Sequence, residues 1–314
     1  STNGYGDSTR RVLERAGFSV SKLPPLLSRE VLLRRFQVDV IIVSWLDNYL
    51  VCDRSGRFRL TGLFKFVLAL LLMRRIADTL VFVRHNSIPH HYRGGHQERL
   101  EKLIDWLERR FDHVVVHSPA QTDCRRCFIG HPLYASTSAT VPEADPHPRR
   151  LLMFGTIAPY KGILDVIAAL PAGLELEIAG PAVDASYLEQ VQEAARGKNV
   201  IVVPGFIEDG EIIERLRSSR GLLIAQAHSR NYVSGVLMFA LSHRVPAFTL
   251  SNSYAEWVAA ELPEAGIFVF DTVPQLLAGA MGEAPFPPSR AGVEDLFGDV
   301  PLGLAWRKLL DAVP

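Results

Sequence analysis

The stretch RLLMFGTIAPYKGILDVIAAL, residues 150–170, decides the fold. It opens on a short apolar run that ends at Gly155. A loop with a proline follows, and Lys161-Gly162 leads into ILDVIAAL, whose apolar residues recur at helical spacing. Strand, glycine exit, loop and helix in so short a span form the repeating unit of a parallel α/β sheet. The unit then recurs downstream. LELEIAG reads as a strand and ASYLEQVQEAARG as a helix with a glycine stop. VIVVPG and EDGEIIERLRSS, GLLIAQA and SGVLMFALSHR, PAFTL and YAEWVAAEL, and finally IFVF continue the alternation. AWRKLLDAVP is a terminal helix.

The same alternation runs upstream. Residues 9–16 read as a helix stopped at Gly17, and 18–20 as a short strand. VDVIIVSW, 38–45, is a β-branched run suited to a strand buried on both faces. A helix is expected over 59–77, and TLVFVRHN is the next strand. Residues 97–111 form an amphipathic helix, and HVVVHSP a further strand. Residues 135–150, ASTSATVPEADPHPRR, are small, polar and proline-rich, and mark a boundary. The expected organisation is an α/β chain of two Rossmann-like, doubly wound domains facing a cleft. Residues 1–138 form the first, 139–150 the linker and 151–285 the second. Residues 286–314 form a helical tail that packs back toward the first domain. Ligands bind at such strand carboxyl ends, where loops and helix N-termini converge.

Composition narrows the class. With 48% hydrophobic and 22% charged residues among 314, the chain can bury a core and is not disordered. It lacks a basic, apolar leader at its start, so secretion is not expected, and three cysteines suit a reducing, cytoplasmic setting. The net charge is zero but unevenly spread: residues 1–140 hold 21 Lys and Arg against 13 Asp and Glu, and the remainder hold the reverse. A basic first half suits an anionic partner, such as an anionic membrane surface. The basic pairs lack an aromatic-interleaved motif, so nucleic acid is not expected as a partner. The apolar run at 66–73 falls well short of the ~20 residues that span a bilayer. It suits a buried helix, or a peripheral contact in which its basic flank meets lipid.

Four of the ten histidines, His85, His90, His91 and His96, crowd into FVRHNSIPHHYRGGH, 82–96. A zinc site needs three or four convergent ligands, and adjacent His90 and His91 point apart in extended chain. No HExxH helix is present, and Cys124-Arg-Arg-Cys127 is a lone CxxC that reads as two thiols near a helix start. The expected metal ligands are therefore none. His85 and His90 stand at or just past a strand's carboxyl end, where an imidazole can take a proton from an acceptor hydroxyl. They are the catalytic candidates. Asn86, His117, His131 and Tyr134 are acceptor-binding candidates, while His91 and His96 are bystanders.

In the second half, Gly155, Lys161 and Gly162 suit a diphosphate at a helix N-terminus. Ser234, Gly235 and Val236 open the SGV helix, with Ser234 as its cap, and Gly205-Phe206 end another strand at a glycine turn. The Walker spacing GxxxxGK[ST] is absent, and no GxGxxG follows a first strand, which argues against a dinucleotide-dependent oxidoreductase or epimerase.

FGTIAPYKGILDVIAAL, LEIAG, PGFIEDGEI and the SGV helix with RVPA behind it resemble, in that order, nucleotide-sugar glycosyltransferases of the two-domain GT-B fold. The likeness is to family-4-like bacterial enzymes of exopolysaccharide or glycolipid synthesis. FVRHNSIPHH and NGYGDSTRRVLERAGFSV resemble a β-mannosyltransferase-like subgroup. The resemblance implies a metal-independent hexosyltransferase that moves a sugar from GDP-mannose or a UDP-sugar to a saccharide or lipid-diphosphate acceptor. The donor is a substrate, so no cofactor is expected. Lys161 would neutralise the departing diphosphate. Many such enzymes carry two glutamates eight positions apart around this helix, and here those positions hold Asn231 and Phe239. That departure supports the alternative, a non-catalytic nucleotide- or sugar-binding protein of the same architecture. The resemblance also sets Ser1 in the loop after a first strand, so either residues precede it or the fold is trimmed there. Residence is expected at the inner face of a membrane.

Overall fold

The computed structural model describes all residues except 1–3, 53–55, 90–91, 135–146, 227–232, 283–288, 290 and 312–314. The chain divides into two compact units. One comprises Thr9–His131, Arg230–Val233 and Leu302–Pro314; the other comprises Ser1–Ser8, Pro132–Ser229 and Ser234–Pro301. The expected linker lies mostly outside the described residues, and its last four positions already belong to a strand.

The first unit is built on a four-stranded parallel sheet, β1 (Val38–Ser44), β2 (Ala77–Arg84), β3 (His113–Val116) and β4 (Arg126–Phe128), in that spatial order. Helices α1 (Gly4–Arg15) and α2 (Arg29–Leu32) precede it, α3 (Leu60–Arg74) joins β1 to β2, and α4 (Gln97–Glu108) joins β2 to β3. β2 is buried at every position but Asp78, as a strand covered on both faces must be. α3 presses Phe66, Ala69, Leu70 and Met73 into the core against Leu80, Phe82 and Ile104. Gly62 lets it seat there, since a Cβ would fall 1.7 Å from the carbonyl oxygen of Tyr49.

Two expectations are corrected. Residues 18–20 form no strand. Cys124-Arg-Arg-Cys127 does not start a helix: Asp123 Oδ1 accepts from the Arg125 and Arg126 amides, turning the chain into the edge strand β4. The thiols there are free. At the other end of the chain, Arg307 donates to the Ala16 carbonyl at 2.5 Å, so Leu302–Pro314 groups with Thr9–His131.

The second unit carries a six-stranded parallel sheet, β5 (His147–Phe154), β6 (Glu175–Gly180), β7 (Val200–Pro204), β8 (Ser219–Ile224), β9 (Ala247–Leu250) and β10 (Ile267–Phe270). Its helices are α5 (Ile163–Ala169), α6 (Ala185–Ala195), α7 (Asp209–Arg217), α8 (Gly235–His243), α9 (Ser253–Glu261), α10 (Val273–Met281), α11 (Ala291–Phe297) and α12 (Asp299–Leu310), the last of which runs on into the first unit's set. The strand order β10-β9-β8-β5-β6-β7 reverses between β5 and β8. The chain winds outward in opposite directions from these two strands, leaving a crevice at their carboxyl ends.

Candidate functional site

The β5–β8 crevice gathers most of the residues expected to hold a diphosphate. A shallow concavity there is lined by Phe154, Lys161, Ala225, Gln226 and Val236, among others. Lys161 is buried, and its Nζ donates to the Phe154 carbonyl at 2.6 Å. Desolvation pushes its pKa down from 10.5 to about 8. The site therefore holds a lysine whose charge is under-solvated, a state that an anionic ligand relieves.

Two glycines make the arrangement possible. Gly155 leaves β5 at φ +92°, and a Cβ on it would stand 2.8 Å from Lys161 Nζ. Gly162 turns into α5 at φ +67°, where a Cβ would stand 2.4 Å from the Ala225 carbonyl oxygen. Ser234 caps α8 by accepting from the Leu237 amide. The α8 N-terminus, with Val236 in the crevice lining, thus joins the same crevice as Lys161. Gly205 and Phe206 are not brought there, for they follow the edge strand β7, with β6 between it and β5.

Tyr134, expected on the acceptor side, lies instead in the six-stranded unit. Its amide donates to Ser242 Oγ at 2.9 Å, and its ring lies 5.9 Å from that of Phe239. Its hydroxyl would stand 3.1 Å from a Cβ on Gly235, so Gly235 admits the tyrosine to the start of α8. Burial pushes the phenol up to about 12, so it stays a neutral hydrogen-bonding group. Phe239, at one of the two expected carboxylate positions, packs against Phe154 and His243 at 4.9 and 4.4 Å between ring centroids. Asn231, at the other, lies outside the described residues.

The carboxyl end of the four-stranded sheet is built differently. Trp45, His85 and His117 are each the first residue past β1, β2 and β3, and His131 follows β4. Their rings stand in a row: Trp45 to His85 at 4.3 Å with planes 10° apart, His85 to His117 at 5.1 Å, His117 to His131 at 5.3 Å. Adjacent parallel strands are ~4.8 Å apart, so one ring per strand end produces this spacing. A row does not converge, and among the described residues no three His, Cys, Asp or Glu are placed to hold a metal ion.

His117 is buried, with Nδ1 2.7 Å from the Ile129 carbonyl. A carbonyl only accepts, so Nδ1 carries the proton and Nε2 is in its acceptor form. Burial lowers the His117 pKa to about 4. It is a neutral post for hydrogen bonds and a weak base. His90 and His91 lie outside the described residues.

Arg84 fixes the loop that carries His85 and Asn86. Its buried guanidinium donates to Asp105 and Glu108 of α4, at 2.5 and 2.8 Å. It also donates to the carbonyls of Asn86 and Ser87, at 3.2 and 3.0 Å. Arg126 of β4 meets the same two carboxylates, completing a network of two cations and two anions. Asn86 is buried over this network. Asp47, buried in the turn after Trp45, has a pKa raised to about 6 by desolvation, with Arg84 opposing the rise. Trp45 itself adopts φ +56°, rare for a bulky residue, and that turn lays its ring on His85. Trp45 and Arg84 shape this strand-end arrangement and were not among the residues expected there. A tryptophan closing a buried strand, and an arginine inside one, were the available signals.

No family model matches the chain. Over 248 residues it is 27% identical to the GDP-mannose:glycolipid 4-beta-D-mannosyltransferase of Xanthomonas campestris pv. campestris, covering 77% of this chain and 69% of that protein. Among solved structures it is similar to Anabaena Alr3699/HepE in complex with UDP and glucose, with TM-score 0.65 and 14% identity over 97% of this chain and 89% of that one. It is also similar to AviGT4, a glycosyltransferase involved in avilamycin A biosynthesis, with TM-score 0.59 and 18% identity over 95% and 81%. The two-sheet parallel α/β architecture is that of GT-B glycosyltransferases, as the sequence resemblance implied.

Proposed function

We propose that the chain is a glycosyltransferase that moves a hexose, mannose from GDP-mannose in the first instance, onto a saccharide or lipid-linked acceptor in glycolipid or exopolysaccharide synthesis. The observation that carries this reading is the buried Lys161 in the crevice where the sheet order reverses, together with the α8 N-terminus. The 27% identical mannosyltransferase supports the choice of donor.

The six-stranded unit holds the donor. Lys161 and the first amides of α8 take the diphosphate, and Tyr134 and Phe239 flank the start of that helix. The four-stranded unit supplies the acceptor groups and the base. In the transfer, the bond from the anomeric carbon to the diphosphate oxygen breaks, and a bond from that carbon to the acceptor oxygen forms. The acceptor proton passes to His85, and the leaving nucleoside diphosphate carries away the bonding pair, stabilised by Lys161. His117 and Asn86 orient acceptor hydroxyls. In this reading the nucleotide sugar is a substrate, and the transfer involves no change of oxidation state.

No helix among the described residues is long and apolar enough to cross a membrane. In this reading a lipid-linked acceptor is met at the inner face of the membrane. Thermal shift with GDP, UDP, GDP-mannose and UDP-sugars tests the donor, and release of GDP from GDP-mannose with added acceptor tests the transfer. Stabilisation by GDP and acceptor-dependent release are expected. Indifference to all nucleotides would overturn the reading.

A further inference from the structure

The outer face of α3 is unlike that of any ordinary surface helix. Its inner side buries Phe66, Ala69, Leu70 and Met73. Its outer side carries Leu60, Phe64, Val67 and Leu71, exposed at 76%, 69%, 38% and 62%. These four recur at i, i+4, i+7 and i+11, so they form one stripe along the helix. A helix on a solvated sheet places polar residues there, whereas scattered single apolar residues need no explanation. Here the whole stripe is apolar.

Charge says what covers it. From Asp53 to Asp78 the sequence holds six cations, Arg54, Arg57, Arg59, Lys65, Arg74 and Arg75, against the two acids at its ends. Lys65 is exposed beside Phe64 and Arg75 at the C-terminal end of the stripe, whereas Arg74 there pairs with Asp112. Arg57 and Arg59 precede its N-terminal end. Such side chains lay their aliphatic stems along an apolar surface and lift their charges to its edge. At 15 residues α3 is too short to span a bilayer, but it suits a helix lying in the plane of the headgroups.

We infer that the outer face of α3 is a membrane-docking surface that seats the four-stranded unit on anionic lipid. Leu60, Phe64, Val67 and Leu71 enter the interface, and Arg59, Lys65 and Arg75 meet the lipid phosphates. The inference names the surface behind the membrane contact proposed above, and it stands whether or not the enzyme uses mannose.

The test is co-sedimentation of the whole chain with vesicles of phosphatidylcholine, alone or with phosphatidylglycerol added. The chain is expected to pellet with the anionic vesicles, and Phe64→Ser with Leu71→Ser to weaken that partition about tenfold or more. Both positions are exposed, so the melting temperature and GDP binding without vesicles should stay unchanged. Retained GDP binding with lost vesicle binding separates this inference from the donor assignment. Lys65→Glu should weaken anionic binding alone, confirming the charge contribution. Equal binding to pure phosphatidylcholine would overturn the lipid specificity. Unaltered binding by the double serine variant would overturn the surface. So would a concentration-dependent dimer, seen in sedimentation velocity, that this variant abolishes.

Discussion

The carboxyl ends of the two sheets differ in what they are made of. In the six-stranded unit the crevice is built from backbone: Gly155 and Gly162 at positive φ, the first turn of α8, and one buried lysine. In the four-stranded unit the strand ends are built from side chains, a row of Trp45, His85, His117 and His131 with a buried ion network beneath. A diphosphate is compact and carries the same charge in any donor, so backbone N–H groups and a point charge suffice to hold it. An acceptor hydroxyl has to be recognised and deprotonated, and only side chains provide groups for that. In the proposed reading, donor affinity belongs to the six-stranded unit and proton transfer to the four-stranded one.

The sharpest way to break that division is His85→Ala. Loss of a general base lowers turnover by roughly 10²–10⁴-fold. GDP release in the presence of acceptor should fall by that factor while GDP affinity, read by calorimetry, stays put. If affinity falls in parallel, the two regions do not act separately. Lys161→Ala is the mirror experiment. Removing a charge aimed at the leaving group costs about 10²–10³ in turnover, and here GDP affinity should fall with it.

Arg84→Ala tests the support beneath the ring row. Breaking a buried ion network typically costs about 3–5 kcal/mol, and the lower end is expected because Arg126 remains to hold Glu108. Urea denaturation reads this directly. A variant with unaltered stability would mean that the network does not anchor the His85 loop.

The smallest effect is a pH dependence. Burial depresses the Lys161 pKa to about 8, and an anionic ligand raises it. GDP binding therefore takes up a proton above pH 8. Affinity should be flat below that value and weaken above it, approaching about tenfold per pH unit. Lys161→Ala should remove the slope. A slope centred near the unperturbed lysine range would mean that Lys161 is solvated in solution.

Both halves were legible as α/β because strand and helix periodicities are local. Gly155, Lys161, Gly162 and Ser234 were legible for the same reason: each marks a strand exit or a helix start in a short window. Phe18 to Val20 misled because a lone apolar alternation carries too little signal without partner strands. The edge strand β4 was missed because it is three residues long and its pattern, Arg126-Cys127-Phe128, has no periodicity to read.

The sequence by itself determined the two parallel α/β units, the glycine exits and the lysine at a helix start, since neighbouring residues set those through spacing and φ preference. The tertiary structure alone decided which strand ends stand together. That choice aligned Trp45, His85, His117 and His131 into one row and brought Arg84 and Arg126 to the same carboxylates. It also assigned Tyr134 to α8 and turned Leu60, Phe64, Val67 and Leu71 outward. Periodicity shows that a helix is apolar all round, but only packing against one sheet decides which stripe is left over. Residues far apart in the chain meet because burying strands and helices selects one strand order, and no short window of sequence contains that choice.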